Sequence, residues 1–505
     1  MNEQTPLHPS VAKGAAAALA AAAILAIVHQ YLFFGHPFGI SHPLFVALFY
    51  GYMLTFGRPI LRPVGALDWL LAGVIALLSL TFVWFHNPVL RALNTLAVPV
   101  LVFIQFTLLL SRRRYGYWDA RLLADALDHL VPQSIRHWPT AVRTAGRLLT
   151  GVREGGGRSG NTQTSRVLIG LIVAAPLLLV ILSLLASADG VFHYALASVP
   201  DWLGTISMSS WFWRVVWAAM MALLLFTYLW GFRDSAEYDW EQTLRSGEAL
   251  VPARRARAAI DPVIAVTVLV SVTVVYVLYV GVQLSYLFGA WEGVLPEGLT
   301  YADYARQGFA ELMAVSGINL ALLMGTLLLV RSAEGGVNRV IRVLLLVIVG
   351  CTGVMLSSAF SRLQLYEEAY GYTYSRFLAH AFMFYVGALL LIGALRTIVR
   401  KLSLGRCFIM VSLVAYIMLN YAQMDARIAA GNIERYQVSG KLDEDYLLGL
   451  STDATPLLVH FRETDYPQLR LEDHARWNHL MEHRGWQSFN WSYHRAAKAV
   501  ASLRE

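Results

Sequence analysis

Charge and cysteine are scarce in this chain. Only 14% of its 505 residues are charged, where a soluble domain carries about 25%. That shortage excludes a chain dissolved in water on all sides. The two cysteines, Cys351 and Cys407, both fall inside apolar runs. They exclude a disulfide framework and a thiolate metal site, and read as small packing residues. The chain also lacks a Walker A sequence, a G-x-G-x-x-G after a strand and a G-x-S-x-G elbow, which excludes a nucleotide-driven pump encoded here.

Hydrophobic residues make up 57% of the chain, and its mean hydropathy is +0.52. Nearly uncharged runs of 18 residues or more recur, each long enough for a ~30 Å hydrocarbon core. Eleven spans are predicted, at 14–34, 38–56, 67–85, 92–110, 167–186, 211–231, 262–288, 309–330, 340–360, 377–399 and 405–424. They are twice the length of a barrel strand and lack period-2 alternation, so all read as helices. The fold class is all-α: a polytopic integral membrane bundle of about eleven helices with a small helical C-terminal extramembrane domain. The expected organisation is a four-helix membrane segment at 1–110, a basic amphipathic connection at 111–166, a seven-helix membrane segment at 167–424 and a tail domain at 425–505. The first run is long for a signal peptide and offers no small-residue cleavage site, so it reads as a retained helix.

Basic residues set the orientation. Alternate connections hold 25 Lys or Arg and the opposite set holds 5, with ten more in the tail. The positive-inside rule then places the N-terminus in the cytoplasm and, with eleven spans, the tail outside it, across the cell's inner (plasma) membrane. The net charge of +7 comes from a basic excess in the inner connections, which faces the anionic cytoplasmic leaflet, and is not a nucleic-acid signal. Membrane lipids are the expected partners, with an extracytoplasmic protein partner open to the tail.

Two connections are too long to be turns. In 111–166, Leu122, Leu123, Ala126, Leu127 and Leu130 recur at helical spacing. Beyond them Trp138, Val142 and Leu149 share one side, with Arg136, Arg143 and Arg147 elsewhere. This segment either lies among lipid headgroups or packs on helix ends; the Gly/Ser-rich "REGGGRSGNTQTS" follows as a connector. In 231–261, Asp261-Pro262 has the pattern of an N-cap followed by Pro at the first helical position. The stretch "SADGVFHYALASVPDWLGTISMSS" lies along the interface or re-enters it. In the tail, Gly440 and Ser451-Thr452-Asp453 read as helix stop and start signals. His479 and His483 stand at i, i+4, without an H-E-x-x-H pattern, and read as solvated or interdomain histidines; no metal or cofactor is implied.

Polar residues cluster near the predicted outer helix ends. Glu311, Val315 and Asn319 share one helical face. The stretch "RLQLYEEAYGYTYSRFLAH" holds Arg362, Glu367, Glu368, Arg376 and His380 between two apolar runs. An ion pair of Glu311 with Arg362 or Arg376, among Tyr301, Tyr304, Tyr366, Tyr370, Tyr372 and Tyr374, is expected to bind a ligand or to stitch helix ends. No nucleophile accompanies His380, so no catalytic residue is assigned. Gly281 and Gly289, and Gly317 and Gly325, are expected at close helix contacts.

The segments "VQLSYLFGAWEGVLPEGLTYADYARQGFAEL", "RLQLYEEAYGYTYSRF" and "NIERYQVSGKLDEDYLLGLSTDATPLL" resemble a bacterial multi-span membrane family, the domain of unknown function 4173 / 4153 type. The resemblance covers much of 262–458. It implies a multi-span membrane protein and assigns no activity. Three functions stay open: transport or flipping of a small or lipid-linked substrate, an enzyme at the outer leaflet acting on an envelope substrate, and a sensor or scaffold that binds a partner through its tail.

Overall fold

The computed structural model describes residues 9–111, 121–150, 210–234, 260–291, 309–330, 336–399, 401–471 and 485–503. Two compact units are formed, one from Met1–Val83, Asn94–Glu237 and Arg484–Phe489, the other from Trp84–Leu93, Tyr238–His483 and Asn490–Glu505.

The first unit contains α1 (Pro9–Phe33), α2 (Ser41–Gly57), most of α3 (Ala66–Trp84) and of α4 (Pro88–Leu110), and then α5 (Arg121–Asp128), α6 (Trp138–Thr150) and α7 (Ser210–Arg233). A π turn, His129–Gln133, and one helical turn, Ser134–Arg136, join α5 to α6. The long apolar α1 and α7 pack along each other. Phe82, Phe106, Phe226, Trp230 and Phe232 are almost fully enclosed.

The second unit is built from α8 (Pro262–Trp291), α9 (Phe309–Leu329), α10 (Gly336–Tyr370), α11 (Tyr374–Ile398) and α12 (Leu404–Tyr421), followed by α13 (Met424–Ser439), α14 (Glu444–Gly449), α15 (Thr455–Thr464) and α16 (Trp491–Ala501). Asp261 caps α8 as its sequence indicates: the Val263 N–H donates to its Oδ1 at 2.7 Å, with Pro262 following. Leu269, Leu312, Leu323, Leu345, Ile348, Met355 and Val386 fill the interior of α8–α11. A second core, from Met424 to Val500, holds the tail helices together.

Nine of the described helices are long and apolar enough to cross a membrane. In α8 and α12 only 11% of the apolar stretch is buried; Val263, Ile264, Val275 and Leu278 stand open on α8. Leaving such faces uncovered is favourable in lipid and costly in water. α2, with 17 residues, is slightly shorter. The span predicted at 167–186, the stretch after it and the Gly/Ser-rich connector lie outside the described residues.

Three expectations need correction. The span predicted at 340–360 is part of a 35-residue helix that continues to Tyr370. At ~1.5 Å per residue, α10 is about 52 Å long, so its polar last turns outrun a hydrocarbon core; Arg, Gln, Glu and Ala sustain the helix there until Gly371. The glycine spacing also misleads. A Cβ added to Gly281, Gly317 or Gly325 would meet nothing within 4 Å, whereas one on Gly393 would collide with Leu323. The close approach is therefore between α9 and α11, and the other glycines face open sides. Cys351 is buried, but Cys407 is only half-buried.

Candidate functional site

The stretch 362–380 forms the end of α10, a tight turn and the start of α11. Gly371 makes the turn with φ +87°, a conformation that costs a residue with a Cβ about 1–2 kcal/mol. Its N–H donates to the Glu367 carbonyl at 2.7 Å, closing the helix. Helix α13 grips the turn. The Tyr372 N–H donates to Asn432 Oδ1 at 2.9 Å, and Asn432 Nδ2 donates to the Tyr372 carbonyl at 2.9 Å and to that of Ile428 at 3.0 Å. Arg435 donates through Nε to the Glu368 carbonyl at 2.8 Å and through Nη2 to the Ala369 carbonyl at 2.7 Å. Those are last-turn carbonyls that a helix leaves without intrahelical donors, and a cation there also suits the helix dipole. A Cβ on Gly431 would lie 2.7 Å from the Tyr372 ring, so only glycine lets α13 come this close.

This frame sets Glu367, which is 4% exposed, against His380: imidazole Nε2 lies 3.0 Å from Glu367 Oε2. The Phe360 ring meets the imidazole edge-on at 4.5 Å. His380 Nδ1 is enclosed and meets no hydrogen-bond partner among the described residues. Arg376 lies 4.2 Å over the Tyr366 ring and donates to the Gly371 carbonyl. Burial, and then the charges of Glu367, Glu368 and Glu434, raise the Tyr372 phenol above its ordinary range.

The seven expected site residues are thus not one cluster. Glu367, Arg376 and His380 converge on the turn, with Arg362 half-buried on the same end of α10; Glu368 is exposed and contributes its backbone carbonyl. Glu311 is exposed at the start of α9, so the expected pairing with Arg362 or Arg376 is replaced by Glu367–His380. The turn folds α10 and α11 side by side and so brings Glu367 to His380, while Glu311 stands exposed on α9. Tyr301 and Tyr304 lie outside the described residues. Asn319 is buried elsewhere: it accepts from the Tyr276 hydroxyl at 2.6 Å and donates to Thr352 Oγ1 at 2.9 Å, tying α8, α9 and α10. Gln283 donates to Ser358 between these levels. Thr352 lies about 15 Å along α10 from Arg362 at ~1.5 Å per residue.

A second polar centre escaped the sequence reading. Asp425, with no exposed surface, accepts from Asn87 Nδ2 at 2.6 Å, from the Ser451 N–H at 2.9 Å and from the Tyr374 hydroxyl. Asp453, 7% exposed, accepts from the His86 N–H at 3.0 Å and from Ser451 Oγ at 3.4 Å. Burial raises the Asp453 carboxyl above the ordinary aspartate range, with the Asp425 charge adding to it and hydrogen bonds from Ser492, His86 and Ser451 opposing. Five separate chain segments, around residues 86, 374, 425, 451 and 492, build this knot, so no local spacing announces it. His479 and His483 lie outside the described residues.

Long apolar helices, lipid-suited open faces and polar groups paired inside the bundle define an all-α, multi-pass membrane protein. Over residues 72–461, more than half of its length, the chain matches the family described as Domain of unknown function (DUF4153), and it belongs to that family. No curated protein and no solved structure matches it.

Proposed function

We propose that the protein transports or flips a small or lipid-linked substrate across a bacterial inner membrane, with the Glu367–His380 pair at the extracytoplasmic mouth of the path. The pair carries the reading. An enclosed carboxylate loses several kcal/mol of hydration, while hydrogen bonds between membrane helices average about 0.6 kcal/mol. Helix stitching alone is therefore a poor return for burying this group, and ionisable residues in membrane bundles mark substrate or ion paths. Polar side chains continue along α10, to Ser358 with Gln283 of α8 and to Thr352 with Asn319 of α9 and Tyr276 of α8. The 25-to-5 division of Lys and Arg supports a cytoplasmic N-terminus and an outer tail.

The test is translocation of headgroup-labelled fluorescent lipids in proteoliposomes, read by dithionite reduction. Wild-type protein is expected to speed loss of inner-leaflet fluorescence, and Glu367→Gln and His380→Gln to remove that gain while keeping native protease resistance. Translocation no faster than in protein-free vesicles would defeat lipid flipping; unchanged rates in both variants would remove the pair from the path.

One observation favours a second reading, a sensor or scaffold working through its tail. Asn432 and Arg435 hold the very turn that positions the pair, so a partner that shifts α13 would disturb it. In that reading a tail ligand alters the pair without any translocation.

A further inference from the structure

The segment from α5 to α6 is inverted with respect to water. Leu123, Leu127, Val131 and Ile135 follow one another at four-residue steps, and each is at least half exposed; Trp138 extends the stripe at 39%. The opposite side is polar and buried. Ser111 Oγ donates to Asp125 Oδ2 at 2.7 Å, and Gln133 Nε2 to Asp128 Oδ2 at 3.3 Å. His129 stacks on Phe232 at 4.1 Å, and His137 Nε2 lies 3.1 Å from the Asp234 carbonyl. A helix facing water shows the reverse pattern.

The π turn keeps the stripe straight. Four-residue steps drift around an α-helix of 3.6 residues per turn, and the wider i→i+5 turn at His129–Gln133 takes up part of that drift. Arg136, Arg143 and Arg147 are exposed on the same segment. An apolar stripe with a Trp and flanking arginines is complementary to an anionic lipid surface, where side chains enter the acyl boundary and guanidinium groups meet phosphate.

We propose that α5, the π turn and α6 form an interfacial anchor, lying in the headgroup region of an anionic leaflet with Leu123, Leu127, Val131, Ile135 and Trp138 turned into the acyl boundary. This placement does not depend on what the Glu367–His380 pair does.

Nitroxide scanning of the full chain tests it, with Cys351 and Cys407 replaced by Ala and single cysteines placed at 127, 131, 135 and 143. The protein is reconstituted into vesicles of phosphatidylcholine, with and without phosphatidylglycerol. At 127, 131 and 135 collisions with oxygen are expected to exceed those with a water-soluble nickel chelate several-fold, and the order to reverse at 143. Adding phosphatidylglycerol is expected to deepen the three stripe positions, and Arg136→Gln with Arg147→Gln to cancel that shift. Nickel access at the stripe would overturn the anchor. Exclusion of both reagents would overturn it too, and would assign the stripe to a protein contact, a second copy if the exclusion follows protein density in the vesicles.

Discussion

Replacing Asn432 with Ala removes the clamp on the α10–α11 turn while adding no bulk. Three hydrogen bonds disappear, two of them to Tyr372. The third is internal to α13 and falls on a carbonyl of that helix, so its loss is small. A net hydrogen bond contributes about 1 kcal/mol, and a donor left enclosed without a partner costs about 1–3 kcal/mol. The turn should therefore lose about 2–3 kcal/mol against local opening, a shift of roughly 30- to 150-fold in the opening equilibrium. Hydrogen exchange by mass spectrometry reads this directly. Peptides covering 371–374 should exchange faster by that factor, while peptides from α2 and α3 should not change. Equal protection in variant and wild type would refute the clamp. Uniform loss everywhere would show that Asn432 serves global folding and not this junction.

Asp453→Asn tests the buried carboxyl. Its folded value is raised, so the folded state holds the proton more tightly than the unfolded chain, and this group's contribution to stability grows as pH falls and shrinks towards neutrality. Thermal melts of wild type and variant should show wild type gaining on the variant as pH drops from neutral towards the ordinary aspartate range; a constant difference would contradict the assignment. Gly39→Ala tests backbone contact in the first unit. The new Cβ would fall 2.5 Å from the Ser488 carbonyl carbon and 2.6 Å from the Phe489 oxygen, beside the bond from the Ile40 N–H to that oxygen at 3.0 Å. A loss of about 1–3 kcal/mol and early proteolysis around 485–489 are expected; unchanged protease resistance would count against the contact.

The spans that fall within the described residues could be read from hydropathy because lipid rewards uncharged runs longer than any soluble helix needs. Helix ends beyond the hydrocarbon were harder. Arg362–Tyr370 looks like a loop by charge and is helix by propensity, and Gly371 supplies the stop. Glu367 and His380 were visible as candidates, but their pairing follows from a turn geometry that charge spacing cannot show. Asp425, Asn87, Ser451 and Asp453 come from distant segments, and Ser451-Thr452-Asp453 looked like helix punctuation because small polar residues serve both purposes. In 121–150 the sequence put Ala126 on the same stripe as Leu123 and Leu127; the structure buries Ala126 with Asp125 and exposes the leucines.

The functional account rests on the clamped turn and its tail facing away from the cytoplasm. Val438 on α13 is 87% exposed, so a single cysteine there, with Cys351 and Cys407 replaced by Ala, reports its side through a membrane-impermeant maleimide on spheroplasts. Labelling of intact spheroplasts is the expected result. Labelling only after permeabilisation would put the turn and its Glu367–His380 pair on the cytoplasmic side and contradict the proposed mouth.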